Sequence, residues 1–74
     1  MSNKWNEYIR EMDEGISKVA EKLSTISSKS YYWLVEDLSF LKGMTMGQGL
    51  LQEMLENINN NELLVKLYNY YRLL

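Results

Sequence analysis

The sequence predicts a small all-α bundle of three or four helices, with a long amphipathic N-terminal helix followed by shorter ones. Trp5, Ile9, Met12, Ile16, Val19, Leu23 and Ile26 recur at alternating steps of four and three, which holds them on one face of an α-helix. There is no proline, and no stretch alternates apolar and polar side chains with the β-branched enrichment of a strand. Clusters of serine, glycine and asparagine cut the remainder into helix-length pieces.

The first helix is expected from about Asn3 to about Ile26. Glu14 with Lys18, and Arg10 with Glu14, place opposite charges at helical spacing, each pair contributing about 0.2–0.5 kcal/mol. Gly15 costs roughly 0.5–1 kcal/mol relative to alanine; it is expected to be merely tolerated there, with close approach of a second helix beside the stripe as the alternative. The run from Ser24 to Ser30 weakens helix propensity and offers several N-caps. A turn or kink is expected near Ser27–Ser30, with a continuous helix as the alternative.

The second helix is expected from about Ser30 to Lys42. Tyr31, Trp33, Leu34, Val35, Leu38, Phe40 and Leu41 leave it little polar surface, so it is expected to be buried on most sides and central to the core. Gly43, Gly47 and Gly49 then end it, and Thr45 with Gln48 fits a capping box for the next helix. That third helix, about Met46 to Asn57, has one apolar face made of Leu50, Leu51, Met54, Leu55 and Ile58. Asn57, Asn59, Asn60 and Asn61 mark the last turn.

The fourth helix is expected from about Glu62 to the end. Glu62, Lys66, Asn69 and Arg72 fall within an arc of roughly 120°, and leucines, Val65 and tyrosines cover the rest. One neighbouring helix cannot bury so wide a face. Leu67, Tyr68, Tyr70, Tyr71 and Leu74 are therefore the expected partner-binding residues, tyrosine being suited to surfaces that are wet in one state and covered in another.

At 74 residues the chain holds one helical domain, residues 1–74, of a size at which a single core is marginal and a staple is usually needed. Without cysteine or histidine, disulfides, thiolate sites and the commonest zinc ligand are all missing. Oligomerisation is the staple left over. The same two absences remove the usual nucleophiles and bases, so no catalytic, cofactor or metal residue is expected and the protein is not expected to be an enzyme. Glu36, Asp37, Glu53 and Glu56 are expected on solvated faces, since a carboxylate-bridged metal pair would need Glu-x-x-His spacing.

Net charge is −2, and no Lys or Arg occurs from Gly43 to Val65. Helix-turn-helix DNA binding, with the third helix presenting Gln48, Gln52, Glu53 and Glu56, is the competing reading, as a dimeric regulator. Acids on that face repel phosphates, so nucleic acid is an unlikely partner. The glycine segment lacks the Gly-Lys-Ser/Thr ending of a phosphate loop. Met44, Met46 and Met54 suit either core filling or an adaptable groove. No apolar run reaches the roughly 20 residues of a membrane span and no signal-type segment is evident, so a cytoplasmic location without membrane contact is expected. The expected function is a non-enzymatic protein-interaction or regulatory module that self-associates, most simply as a homodimer, or binds another protein. Its composition would also suit an accessory or inhibitor protein of viral or mobile-element type.

Overall fold

The heptad stripe becomes the spine of the core. In the computed structural model, which describes residues 4–74, α1 spans Lys4–Ile26, α2 Tyr31–Ser39, α3 Gly47–Glu56 and α4 Asn61–Leu73. A 3-10 turn, Phe40–Gly43, prolongs α2. The segments of the expected helices before Lys4 lie outside the described residues. Met12, Ile16, Val19, Ala20 and Leu23 of α1 are buried against Leu34, Leu38, Leu41, Leu51, Met54, Leu64, Tyr68 and Tyr71. Each fully buried leucine contributes about 1.5–3 kcal/mol. Among the described residues no helix is long and apolar enough to cross a membrane.

The helices run up, down, up and down. Gly15 meets Leu51 and Leu55, while Lys18, Lys22 and Thr25 lie beside Ile58 and Asn59, so α3 runs in the direction of α1. The stripe outruns its cover. With 23 residues α1 is about 34 Å long at ~1.5 Å per residue, whereas the 9 residues of α2 and 4 of the 3-10 turn reach only about 22 Å. Trp5 is 67% exposed, stacked on Tyr8 with ring centroids 5.7 Å apart.

The serine run ends α1 as a turn rather than a kink. Ser24 Oγ donates to Glu21 O, Thr25 Oγ1 to Lys22 O and Ser27 Oγ to Leu23 O, each at 2.7 Å. These hydroxyls bond the carbonyls of the last turn in place of further helix. Ser30 then caps α2, accepting from the Trp33 amide at 3.2 Å. Asn60 does the same for α4, accepting from the Leu63 amide at 3.1 Å, and Asn57 Nδ2 donates to Glu53 O at the end of α3.

Three expectations need correction. α2 is not buried on most sides: its buried residues are Leu34, Asp37 and Leu38, and Tyr32 and Phe40 face outward. The central element is α1, which touches each of the other three helices. Four short elements around one long helix cannot enclose two of their number. Next, no described glycine has a positive φ, so Gly43 supplies no left-handed cap; α2 tightens into the 3-10 turn and Met44 leaves it extended. Finally, Thr45 caps nothing. The N-cap of α3 is Met46, without a side-chain bond, because the Gly47 amide donates to Met44 O at 3.0 Å and starts the helix two residues past Thr45.

Gly47 is where a glycine is required. A Cβ there would lie 1.9 Å from the Leu41 carbonyl oxygen, so α3 can meet the 3-10 turn only through a bare Cα. Gly49 has open space around its Cα. Gly47→Ala should therefore destabilise the fold by about 2 kcal/mol or more, as backbone overpacking does, while Gly49→Ala should raise stability by about 0.5–1 kcal/mol through helix propensity. Urea unfolding of the two variants checks this; equal effects would contradict the placement of Gly47.

Candidate functional site

A buried carboxylate fixes the orientation of α4. Asp37 occupies the same helical phase as Leu34 and Leu41 and is only 8% exposed, so it is not the solvated acid its type suggests. Its carboxylate accepts from Tyr68 Oη at 2.7 Å and from Arg72 Nη1 at 2.6 Å. Its backbone carbonyl accepts from Tyr71 Oη at 2.6 Å. The three donors sit at i, i+3 and i+4 on α4, which turns one face of that helix onto a single residue of α2. Arg72 also lies 5.3 Å from the Trp33 ring centroid, and Lys29 Nζ lies 4.8 Å from it. Among the described residues no buried side-chain nitrogen or oxygen lacks a hydrogen-bond partner.

This network divides the expected partner-binding residues. Tyr68 and Tyr71 are buried inside the fold, each hydrogen-bonded to Asp37. Leu67, Tyr70 and Leu74 take no part in the network, although Leu67 packs against the core and Leu74 borders Tyr71 and Arg72. With Met44, Met46 and Leu50 they line an open groove of about 550 Å³ between the start of α3 and the end of α4. Tyr70 is 54% exposed, Leu74 62% and Met46 75%. Of the three methionines weighed as core or groove, Met54 is buried and Met44 and Met46 line the groove.

The groove is apolar with an acidic rim. Glu53 lines it and no Lys or Arg does. Nothing in it presents a nucleophile beside a base, and among the described residues no three acids gather as metal ligands would. Polar residues of α3 are spent on one another, Gln52 Nε2 donating to Glu56 Oε2 at 3.2 Å. On α4, Lys66 pairs with Glu62 at 3.2 Å in solvent, a contact of little energetic weight.

Sequence reading missed Asp37, although a signal existed: an acid within the apolar phase of α2, facing a Tyr-x-x-Tyr-Arg set able to donate to it. The chain matches no family model, no curated protein and no solved structure.

Two measurements test the network. Asp37→Ala should cost about 2–4 kcal/mol, because it strands the Tyr68 hydroxyl and removes a charge-assisted bond. Burial first, and then the Asp37 hydrogen bond, raises the Tyr68 phenol well above its ordinary value; burial and then the Asp37 charge raise Tyr71. Unfolded, both ionise near their ordinary 10.0. The neutral phenols thus add stability that is full below pH 10 and is lost as pH climbs through the raised folded values. Unfolding followed between pH 8 and 12 should show a falling alkaline limb, and the Tyr68→Phe/Tyr71→Phe double variant, though less stable throughout, should show a shallower one.

Proposed function

We propose that the protein is a non-enzymatic interaction module that self-associates through the groove between α3 and α4. The observation that carries this reading is where the exposed large apolar side chains lie. Of these, Met46, Tyr70 and Leu74 line the groove and Phe40 borders Leu74, whereas Trp5, Tyr32 and Trp33 do not line it. Scattered apolar residues are normal on a surface, whereas a contiguous set rimmed by polar groups marks a contact with another macromolecule. Tyr70 suits it as an anchor, a rigid ring with a polar tip.

Small size supports the same reading, since the chain has no disulfide to stabilise its core and a second copy is the remaining staple. The helix-turn-helix alternative gains no support from the geometry: Gln48, Glu53 and Glu56 are exposed on α3 without a neighbouring Lys or Arg on that helix.

Sedimentation at micromolar concentration should find an oligomer whose dissociation depends on concentration. Tyr70→Ala should weaken it by more than about 1 kcal/mol with the fold retained. Tyr71→Ala should lower the melting temperature instead, and Lys66→Ala should change neither. A concentration-independent monomer would overturn the reading, and duplex DNA bound below micromolar Kd at ~50 mM salt would favour the regulator.

A further inference from the structure

The last helix carries two apolar rows. The inner one, Leu64, Tyr68 and Tyr71, is buried, and its tyrosines bond Asp37. The outer one, Leu63, Leu67, Tyr70 and Leu74, advances by alternating steps of four and three and occupies an arc of about 60°, turned about 100° from the inner row. Leu63 and Leu67 are half-buried, Tyr70 and Leu74 exposed. We infer that the outer row of α4 packs, antiparallel, on the outer row of α4 in a second copy. This rests on self-association as the function and names the helix that meets its own copy.

Spacing decides what kind of surface covers the row. Alternating steps of four and three are those at which two helices, crossed at about 20°, set the side chains of one between those of the other. Leu67 packs partly on the core, but Tyr70 and Leu74 beyond it find little cover within the chain. Among the described residues no other helix offers a comparable row. In α1 the heptad stripe is buried at Met12, Ile16, Val19 and Leu23. Along α2 and its 3-10 turn, the exposed Glu36 separates Tyr32 from Phe40. On α3, Met46 and Leu50 are the other wall of the same groove.

The row also complements itself. It reads four, three, four from either end, so two antiparallel copies set Leu63 against Leu74 of the second copy and Leu67 against Tyr70 of the second copy. Each contact is then made twice about one two-fold axis. Pairing takes no unpaired charge out of water: the row holds none, Lys66 beside it is bound to Glu62 of its own helix at 3.2 Å, and Glu53 is exposed at the groove rim. Leu73, 87% exposed, flanks the row, and Met46 stands across the groove. With Tyr70 and Leu74 they leave on the order of 500 Å² uncovered per copy, so a pair covers about 1,000 Å², the size at which specific interfaces begin.

The chain has no cysteine, so an introduced pair can be followed alone. Positions 63 and 74 stand about 16 Å apart along one helix at ~1.5 Å per residue. A disulfide spans only about 4.4–6.8 Å between Cα atoms. Leu63→Cys and Leu74→Cys chains, mixed and oxidised, should give the mixed disulfide dimer, and Leu63→Cys alone should give little. Leu63→Ala should raise the dimer Kd at least about tenfold with an unchanged helical spectrum, while Tyr32→Ala should leave it unchanged. Leu63 is not among the groove-lining residues, so its effect separates pairing along α4 from contact through the groove alone. Where Leu63→Ala lowers stability as well as association, the mixed disulfide decides. A dimer that persists in Leu63→Ala and yields no mixed disulfide overturns the inference and leaves self-association standing. Leu63→Cys linked to itself would mean parallel helices and overturns it equally. A wild-type monomer overturns both, leaving the row to a helix of a foreign partner.

Discussion

A single carboxylate, Asp37, determines which face of α4 the outside world sees. An ionised acid taken out of water loses several kcal/mol of hydration, which only well-aimed donors can offset. Here they are the Tyr68 phenol and the Arg72 guanidinium, with the Tyr71 phenol on the backbone carbonyl of the same residue, so α4 can rotate only by abandoning all three. With Tyr68, Tyr71 and Arg72 committed to α2, Leu67, Tyr70 and Leu74 are left as one wall of the groove. An apolar residue at position 37 could be as stable, yet would hold α4 by non-directional packing alone.

Where period and capping speak, the fold was legible. The 4-3 spacing of Met12, Ile16, Val19 and Leu23 places them in the core, and Ser30 and Asn60 cap the helices that follow them. For Gly15 the sequence favoured mere toleration over close approach, yet a Cβ there would sit 2.9 Å from Leu55 Cδ1, so the close approach is the reading the packing supports. Less legible was anything that depends on how much partner surface exists. Trp5 and Met12 have equal rank in the stripe, but one is exposed and the other buried, because the length of α2 sets where cover ends. Thr45 failed as a cap for a related reason: the start of α3 is dictated by the backbone of Leu41 against Gly47, a contact between segments that no local pattern encodes.

The candidate groove was half legible. The wide apolar arc of α4 signalled that some of Leu67, Tyr68, Tyr70, Tyr71 and Leu74 face outward, but a helical wheel does not say which. That division follows from where each identical phenol stands relative to Asp37. Tyr68 and Tyr71 are three apart and can converge on one acceptor residue, whereas Tyr70 lies off that line. Composition treats an acid as solvated by default, so Asp37 was assigned to water and the division stayed hidden.

The two tryptophans are placed so differently that they act as separate optical probes. Trp5 stands in solvent on an aromatic neighbour at the tip of α1. Trp33 has two cationic groups near its indole, Lys29 Nζ at 4.8 Å and the Arg72 guanidinium at 5.3 Å from its ring centroid. Emission from Trp33 follows the latch between α2 and α4, and emission from Trp5 follows whatever covers the tip. Replacing either indole with phenylalanine leaves a chain whose remaining indole fluorescence reports one event without the other, so internal loosening and external contact can be timed independently.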